Sequence, residues 1–391
     1  MYSVKTLNKI SAKGTGLFSK DYSVGDSENN PQAILVRSAQ VDTDSFSGDL
    51  LAVARAGAGV NNITIDKASA KGICVFNTPG ANANAVAELV FTALGVALRN
   101  IHKSLAWIGS LKDKEDKDIS EAVEKNKAAF VGTELAGKTI GVAGLGKIGV
   151  LVANGAIGRG MKVIAYEPYP SIANMLMLNN TVKVVPTLDE VIAAADVLTV
   201  HVPFIKNTTE NLLNETNLAN FNGSYLLNFA RNGIVSDAGI KAFLAKNKNH
   251  IYATDFPSKA DLSNEQVISF PHLGASTEEA EENCATMAVE QLKDYLEFGI
   301  VRNSVNFPAS GSTPPASVKH RIVVINNDVP NMIALISKVF GDAGLNIQSF
   351  KNESNGKIGY NLIDLEATVP QGLIDSLKKI EQIIRVRVIE F

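Results

Sequence analysis

At 391 residues the chain is too long for one compact core of ordinary size, which points to two or three domains. Hydrophobic residues make up 46 % and charged residues 20 %, globular usage that excludes a charge-rich, core-poor chain. Lys and Arg total 37 against 40 acids, a formal net charge of -3, so no general basic field exists to hold nucleic acid or an anionic membrane, and an anionic ligand has to be caught locally.

The cysteines, Cys74 and Cys284, lack CxxC spacing and metal-like histidine neighbours. They read as small buried hydrophobes in a reducing cytoplasm, with no metal site. Residues 1–18 hold no apolar core ahead of a small-residue cleavage site, and nowhere do about 18 apolar residues run together, so neither export nor a membrane span is expected.

In chain order, AILVRSA (33–39), DLLAVARAGAGV and GICVFNTPG are short β-branched stretches with the helical IDKASAKG between them, a first α/β unit. The apolar run AVAELVFTALGVALRNIHKSLAWIG (85–109) is expected as one uninterrupted helix buried on most sides. The charged stretch after it, through residue 127, reads as a solvated surface segment. From KTIGVAGLG to VISFPHLG (138–274) strands and helices alternate in the rhythm of a doubly wound parallel sheet. A helix follows over 277–299, then the Pro- and Ser-rich SVNFPASGSTPPAS (304–317), expected as a linker. Residues 318–391 run βαββαβ, a ferredoxin-like order.

Gly144, Gly146 and Gly149 form Gly-x-Gly-x-x-Gly after an expected strand and at the start of a helix that opens with Lys147 and Ile148. A second strand ends at Glu167, 23 residues beyond Gly144, which completes a dinucleotide fingerprint. The glycines let the backbone approach a pyrophosphate that the helix N-terminus stabilises. A carboxylate at Glu167 accepts from ribose hydroxyls and repels a 2′-phosphate, which favours NAD over NADP. The plain alternative is a Gly-rich turn with no cofactor. Two further segments fall at expected strand ends of the same sheet, NFARNGIV with Arg231 and FPHLGAST with His272. His102, His250 and His320 fall in helical or surface contexts that need no special role, and His201 in THVP is open to a simple strand-capping role.

The ordered set GLGKIG, HVP, NFARNGIV, ATDF and PHLGAST resembles the D-isomer-specific 2-hydroxyacid dehydrogenase family, almost end to end. The N-terminal VRSAQV and FNTPGANANAVAELV, with a C-terminal module resembling an ACT domain, point within that family to 3-phosphoglycerate as the substrate. The resemblance implies an α/β protein: a Rossmann-type NAD-binding domain (82–274) inserted in a flavodoxin-like substrate domain (1–81 and 275–316), plus a ferredoxin-like ACT domain (317–391).

By motif, Arg231 clamps the substrate carboxylate and polarises the C2 oxygen, His272 takes the C2 hydroxyl proton, and Asp255 orients the nicotinamide carboxamide. Cofactor contacts are implied for Gly144, Gly146, Lys147, Ile148, Gly149, Glu167, His201, Val202, Pro203, Thr208, Phe229, Ala230, Arg231, Asp255, His272 and Gly274. Substrate contacts are implied for Arg37, Ser38, Gly57, Ala58, Gly59, Asn82 and Lys127; for Arg37 the ordinary alternative is a surface ion pair.

Two departures from the family pattern stand out. Where most members carry a glutamate a few residues after the ATDF aspartate, TDFPSKADL puts Lys259. A carboxylate raises a neighbouring histidine's pKa and a lysine lowers it, so the exchange reverses the charge expected beside His272. Lys259 is therefore expected either to share the proton transfer or to supply positive charge near the C2 oxygen; the ordinary alternative is a solvated loop lysine, with Asp261 serving instead through a register slip. In the C-terminal module VINNDVPNM carries Asn326, Asp328 and Asn331 where serine-regulated relatives have His and Asn followed by Pro-Gly, although Asn346 in GLNIQ keeps a second contact. Serine feedback is not expected; another amino-acid effector or a dimerisation surface is. A homodimer or homotetramer is implied. The rival functions are a hydroxypyruvate or glyoxylate reductase of the same family, an NAD(H)-sensing scaffold of the corepressor type, and a detached amino-acid sensor.

Overall fold

The computed structural model describes residues 1–46 and 48–391. The chain divides into two compact units, Met1–Asn82 with Glu278–Phe391, and Ala83–Thr277.

In the first unit β1 (Tyr2–Leu7), β2 (Tyr22–Gly25), β3 (Ala33–Val36), β4 (Ala52–Arg55) and β5 (Cys74–Phe76) form an all-parallel sheet in the order β2-β1-β3-β4-β5. That is the flavodoxin-like order, in which ligands collect beyond the carboxyl ends of the strands. The three strands expected from sequence are the buried ones. β1 and β2, which the sequence pattern does not announce, are mostly half-buried, and β2 lies at the sheet edge, so their residues mix Lys and Ser with the apolar positions. The helix Glu278–Phe298 buries Cys284, Ala288, Leu292, Tyr295 and Leu296 in the same core as β1, β3, β4 and β5.

The expected linker is only partly one. Phe307 is core, and Asn306 is buried with its side chain accepting from Val75 N (2.8 Å) and donating to Ile73 O (2.9 Å). Its amide gives the backbone groups at the outer edge of β5 the partners that another strand would supply. Beyond it β13 (His320–Asn327), β14 (Ser349–Ser354), β15 (Ile358–Leu365) and β16 (Ile383–Glu390) form an antiparallel sheet in the order β14-β15-β13-β16, the ferredoxin-like module.

One face of that sheet is covered by the helices Met332–Asp342 and Gln371–Lys378. The other, with Val323, Ile325, Tyr360, Leu362 and Ile389, shares the core of Tyr295 and Phe307. Buried Arg321 makes a fork to Asp364 (2.6 and 2.8 Å) and donates to Phe298 O, while Tyr360 Oη donates to Gly299 O (2.6 Å). These donors satisfy carbonyls around the end of the helix Glu278–Phe298, which would otherwise lack partners. The module is thus docked face-on to the fold of the five-stranded sheet, and that sheet face is not free to pair with another copy. Asn331 takes φ 75° at the start of the helix Met332–Asp342, the left-handed backbone that glycine adopts freely and asparagine tolerates.

In the second unit β6 (Thr139–Ala143), β7 (Lys162–Tyr166), β8 (Lys183–Val184), β9 (Val197–Val200), β10 (Tyr225–Asn228), β11 (Ile251–Thr254) and β12 (Val267–Ser269) form a parallel sheet in the order β12-β11-β10-β9-β6-β7-β8. This is the doubly wound dinucleotide-binding topology, with its crossover beside β6.

The long helix expected over 85–109 is broken. It runs Ala83–Leu98, bends by 65° and resumes as Ile101–Gly109. Asn100 sits at φ 51°, and its side chain donates to Val131 O while Thr133 N donates to Leu98 O. The returning chain thus takes over the groups that a continuing helix would have used. Only the first piece is buried; Ile101–Gly109 buries none of its residues. His250, expected in a helical or surface context with no special role, is a core histidine stacked on Phe243 at 4.5 Å. Among the described residues no single helix is long and apolar enough to cross a membrane.

Candidate active site

The glycine loop joins β6 to the helix Lys147–Ile157, and its three glycines answer to different constraints. Gly144 takes φ 98°, and a Cβ there would come within 2.7 Å of His201 O. A Cβ on Gly149 would stand 1.9 Å from Gly144 O, so the helix can approach the loop only without one. At Gly146, the residue that begins the helix, no atom of the described residues beyond its immediate chain neighbours lies within 4 Å of the place a Cβ would occupy, and it brings no capping side chain. Two glycines let the chain pack on itself, and the third leaves open space in front of a positively polarised helix end. That is the shape and charge a pyrophosphate needs, so the residues fit a dinucleotide.

Glu167 follows β7 and ties this loop down. Its Oε2 accepts from Leu145 N (2.8 Å) and its Oε1 from Tyr169 N (2.9 Å), each oxygen keeping lone-pair capacity for a ribose hydroxyl. Lys147 is exposed and Ile148 half-buried on the first turn of the helix.

His201 follows β9 and is buried, with Nε2 3.0 Å from Thr199 Oγ1. Its Nδ1 has no partner, and burial pushes its pKa down from 6.5 to about 3. The imidazole is therefore neutral, and it shapes the strand end rather than carrying charge. Val202, Pro203 and Thr208 continue into an exposed loop. There it is the unforeseen Thr209 that ties the turn, accepting from Ile205 N (2.7 Å) and donating to Pro203 O (2.5 Å).

Arg231, Asp255 and His272 follow β10, β11 and β12, three adjacent strands, so all three lie at the carboxyl edge of one sheet. Phe229 and Ala230 are buried and set the base of the arginine loop. Buried Asn228 closes it, donating to Arg231 O (2.9 Å) and accepting from Ala230 N (3.2 Å). The exposed Arg231 guanidinium donates to Ala230 O (2.7 Å).

Asp255 is only 2 % exposed, and its oxygens accept from Leu273 N (2.9 Å) and Gly274 N (2.7 Å). It thus pins the loop that carries His272, a task the motif alone does not reveal. Exposed His272 takes φ 56°, a backbone state that non-glycine residues keep only where the surroundings enforce it. Its ring packs on Phe256 at 4.8 Å between centroids, so the loops after β11 and β12 meet. Lys259 lies in the exposed turn three residues beyond Phe256, and Asp261 spends its Oδ2 on Ser258 N (2.7 Å).

The residues expected on the substrate side fall at strand ends of the first unit. Arg37 follows β3 and its Nη2 lies 2.6 Å from Glu281 Oε1, both side chains about two-fifths exposed at 41 % and 42 %. Ser38 and the next residue both donate their backbone N–H to Asn8 Oδ1 (3.0 and 2.7 Å). The sequence reading missed Arg55, which ends β4 and donates from Nε to Arg37 O (2.9 Å).

The Arg55 side chain packs over the glycines that follow it: the place of a Cβ on Gly59 lies 2.7 Å from Arg55 Nη1, and that of one on Gly57 lies 3.5 Å from Arg55 Cζ. Ala58 is fixed by Asn77 Nδ2 donating to its carbonyl (2.6 Å), and Asn82 is half-buried in the following turn. Lys127, in the second unit, is spent on an exposed pair with Glu124. Among the described residues no group of three or more His, Cys, Asp or Glu could hold a metal.

The chain matches the family model described as D-isomer specific 2-hydroxyacid dehydrogenase, NAD binding domain, over residues 96–275. It is 32 % identical over 343 residues to the D-3-phosphoglycerate dehydrogenase of Haemophilus influenzae, covering 85 % of this chain and 79 % of that one. It is 35 % identical over 298 residues to the Bacillus subtilis protein of the same name, covering 73 % of this chain but only 54 % of the relative, so it spans about half that relative's length. In structure it resembles the NAD+-bound 3-phosphoglycerate dehydrogenase of Entamoeba histolytica with a TM-score of 0.60 at 24 % identity, over 78 % of this chain and 98 % of that one, a likeness of fold.

Proposed function

The chain belongs to the D-isomer specific 2-hydroxyacid dehydrogenases and is an NAD-dependent enzyme, and from that premise we propose that it oxidises 3-phospho-D-glycerate to 3-phosphohydroxypyruvate, the first step of serine biosynthesis. The observation that carries the chemistry is the single sheet edge that bears the open glycine loop, Arg231 and His272 together. The glycine loop and Glu167 would hold NAD, which would supply the acceptor for the hydride from C2.

The protein's share is to hold and to move the proton. Arg231 presents fork-shaped donors to the substrate carboxylate and C2 oxygen, charge-assisted bonds that strengthen as that oxygen loses its proton. His272 accepts the hydroxyl proton, and Asp255, by holding Leu273 N and Gly274 N, keeps the histidine loop where it can do so. Lys259 supplies positive charge beside the C2 oxygen or shares the proton; Asp261 is engaged with Ser258 instead, which supports the lysine. The remaining contacts with the dinucleotide fall to Lys147, Ile148, Glu167, Val202, Pro203, Thr208 and Gly274. Arg37 and Arg55, with Ser38, Gly57–Gly59 and Asn82, serve the substrate phosphate.

The exposed apolar residues Ile101, Leu105 and Ile108 lie on one helix at i, i+4 and i+7, which supports a homodimer through the dinucleotide-binding domain, with light scattering to separate dimer from tetramer. Buried, unpaired Cys74 and Cys284 support a reducing, cytoplasmic setting. For the C-terminal module the buried sheet face supports a scaffolding role; a rise in Tm with one amino acid from a panel would mark an effector site instead.

NADH formation measured with phosphorylated and unphosphorylated D-2-hydroxy acids tests the whole proposal. Saturable turnover with preference for 3-phosphoglycerate is the expected result. Preference for glycerate or glycolate would make the enzyme a hydroxypyruvate or glyoxylate reductase, and NADH binding with no turnover of any of them would favour a sensing scaffold.

A further inference from the structure

The helix Glu278–Phe298 opens on four acids in five residues, Glu278, Glu279, Glu281 and Glu282, and the last two have different partners. Glu282 pairs with Lys13 at 3.0 Å, and Glu281 with Arg37 at 2.6 Å. Arg55 fixes the backbone of Arg37 through its carbonyl, so the guanidinium that would meet a phosphate is held by a carboxylate of the protein itself.

We propose that Glu281 is an internal anion that the substrate's phosphate displaces from Arg37, and that its charge sets how strongly the enzyme prefers a phosphorylated over an unphosphorylated 2-hydroxy acid. The inference rests on the proposal that Arg37 receives the phosphate. A guanidinium fork matches phosphate as well as it matches carboxylate, so the two compete for the same donors. The pair is exposed enough to exchange, because ion pairs of this kind are weak. Once displaced, the carboxylate remains anchored a short side chain away from a dianion and repels it. Both effects lower the apparent affinity for a phosphorylated ligand and leave an unphosphorylated one untouched.

An acid in the first turn of a helix has an ordinary use as well, since it complements the positive end of the helix. Glu278 and Glu279 serve that purpose in the same turn without pairing with Arg37, and Glu282, just beyond the turn and paired with Lys13, is the neighbouring control.

The test is the KM and kcat for 3-phosphoglycerate and for D-glycerate, together with competitive inhibition by inorganic phosphate, in Glu281→Gln, Glu282→Gln, Arg37→Ala and Arg37→Ala/Glu281→Gln. Glu281→Gln is expected to lower the KM for 3-phosphoglycerate, and the inhibition constant of phosphate, by about three- to ten-fold with kcat and the glycerate KM little changed. Glu282→Gln should change neither, and the gain should vanish in the Arg37→Ala background. Equal changes for both substrates, an equal effect of Glu282→Gln, or a gain that persists without Arg37 would overturn the inference. If Arg37→Ala raises the KM for 3-phosphoglycerate while Glu281→Gln does nothing, this inference alone fails. If Arg37→Ala does nothing either, the phosphate assignment fails and takes the inference with it.

Discussion

At the carboxyl edge of the seven-stranded sheet, Glu167, Asn228 and Asp255 fix their loops through bonds to backbone groups, and two of the three are nearly fully buried. At the carboxyl edge of the five-stranded sheet, Arg37 is held by an exposed carboxylate. The first arrangement is preorganised, so little has to move when the reaction starts, which is what chemistry common to a whole family requires. The second is exchangeable, and exchangeable charge is suited to choosing among ligands. Substitutions in the first region should therefore act on kcat and on folding, and substitutions in the second on KM.

The sharpest break should come at His272. His272→Ala is expected to lower kcat by about 10²- to 10⁴-fold, the usual worth of a positioned general base, while NADH still binds in a fluorescence titration. Turnover that survives the substitution would remove His272 from proton transfer.

A smaller effect is expected one layer back. Asp255→Asn leaves one of two backbone N–H groups facing an amide that also donates, which costs about 1–3 kcal/mol for a buried group. Tm and kcat should fall together, and hydrogen exchange at Leu273 and Gly274 should rise. A loss of kcat with unchanged exchange would mean that Asp255 acts on the substrate or cofactor and not on the loop.

These differences explain how much could be read from the residues in advance. The glycine loop and Glu167 were legible because the fingerprint is local, fixed by spacing along one βα unit. The ferredoxin-like module was legible for the same reason. The break at Asn100 was not, because the apolar pattern runs straight through it and only the returning chain near Val131 ends the helix. Arg55 was passed over because nothing local distinguishes it from a strand-end arginine until it is seen beside Arg37 and Gly59. The Glu281 pair joins the two sequence segments of the first unit with the whole second unit between them in sequence, and no pattern predicts such a contact. The plain expectation for Arg37, a surface ion pair, describes its geometry correctly.

The smallest effect separates structure from chemistry at His201. Its folded-state pKa of about 3 lies below the ordinary 6.5 because burial disfavours the imidazolium. Between those values the unfolded chain binds a proton that the folded one does not, so stability is complete above pH 6.5 and falls with acid. The slope approaches about 1.4 kcal/mol per pH unit. Chemical denaturation at pH 7.5 and pH 5.5 should therefore show a drop of about 1 kcal/mol in the wild type that shrinks in His201→Gln. Identical pH dependence in both proteins would place the acid sensitivity elsewhere.

NADH titration of the wild type beside Gly146→Val, with Tm measured on both, asks most directly whether a dinucleotide rests on the open helix end. Because no described residue beyond its immediate chain neighbours comes within 4 Å of a Cβ at Gly146, the variant should fold with an unchanged Tm and lose saturable NADH binding. Equal binding by the two proteins, or none by the wild type, would contradict the account.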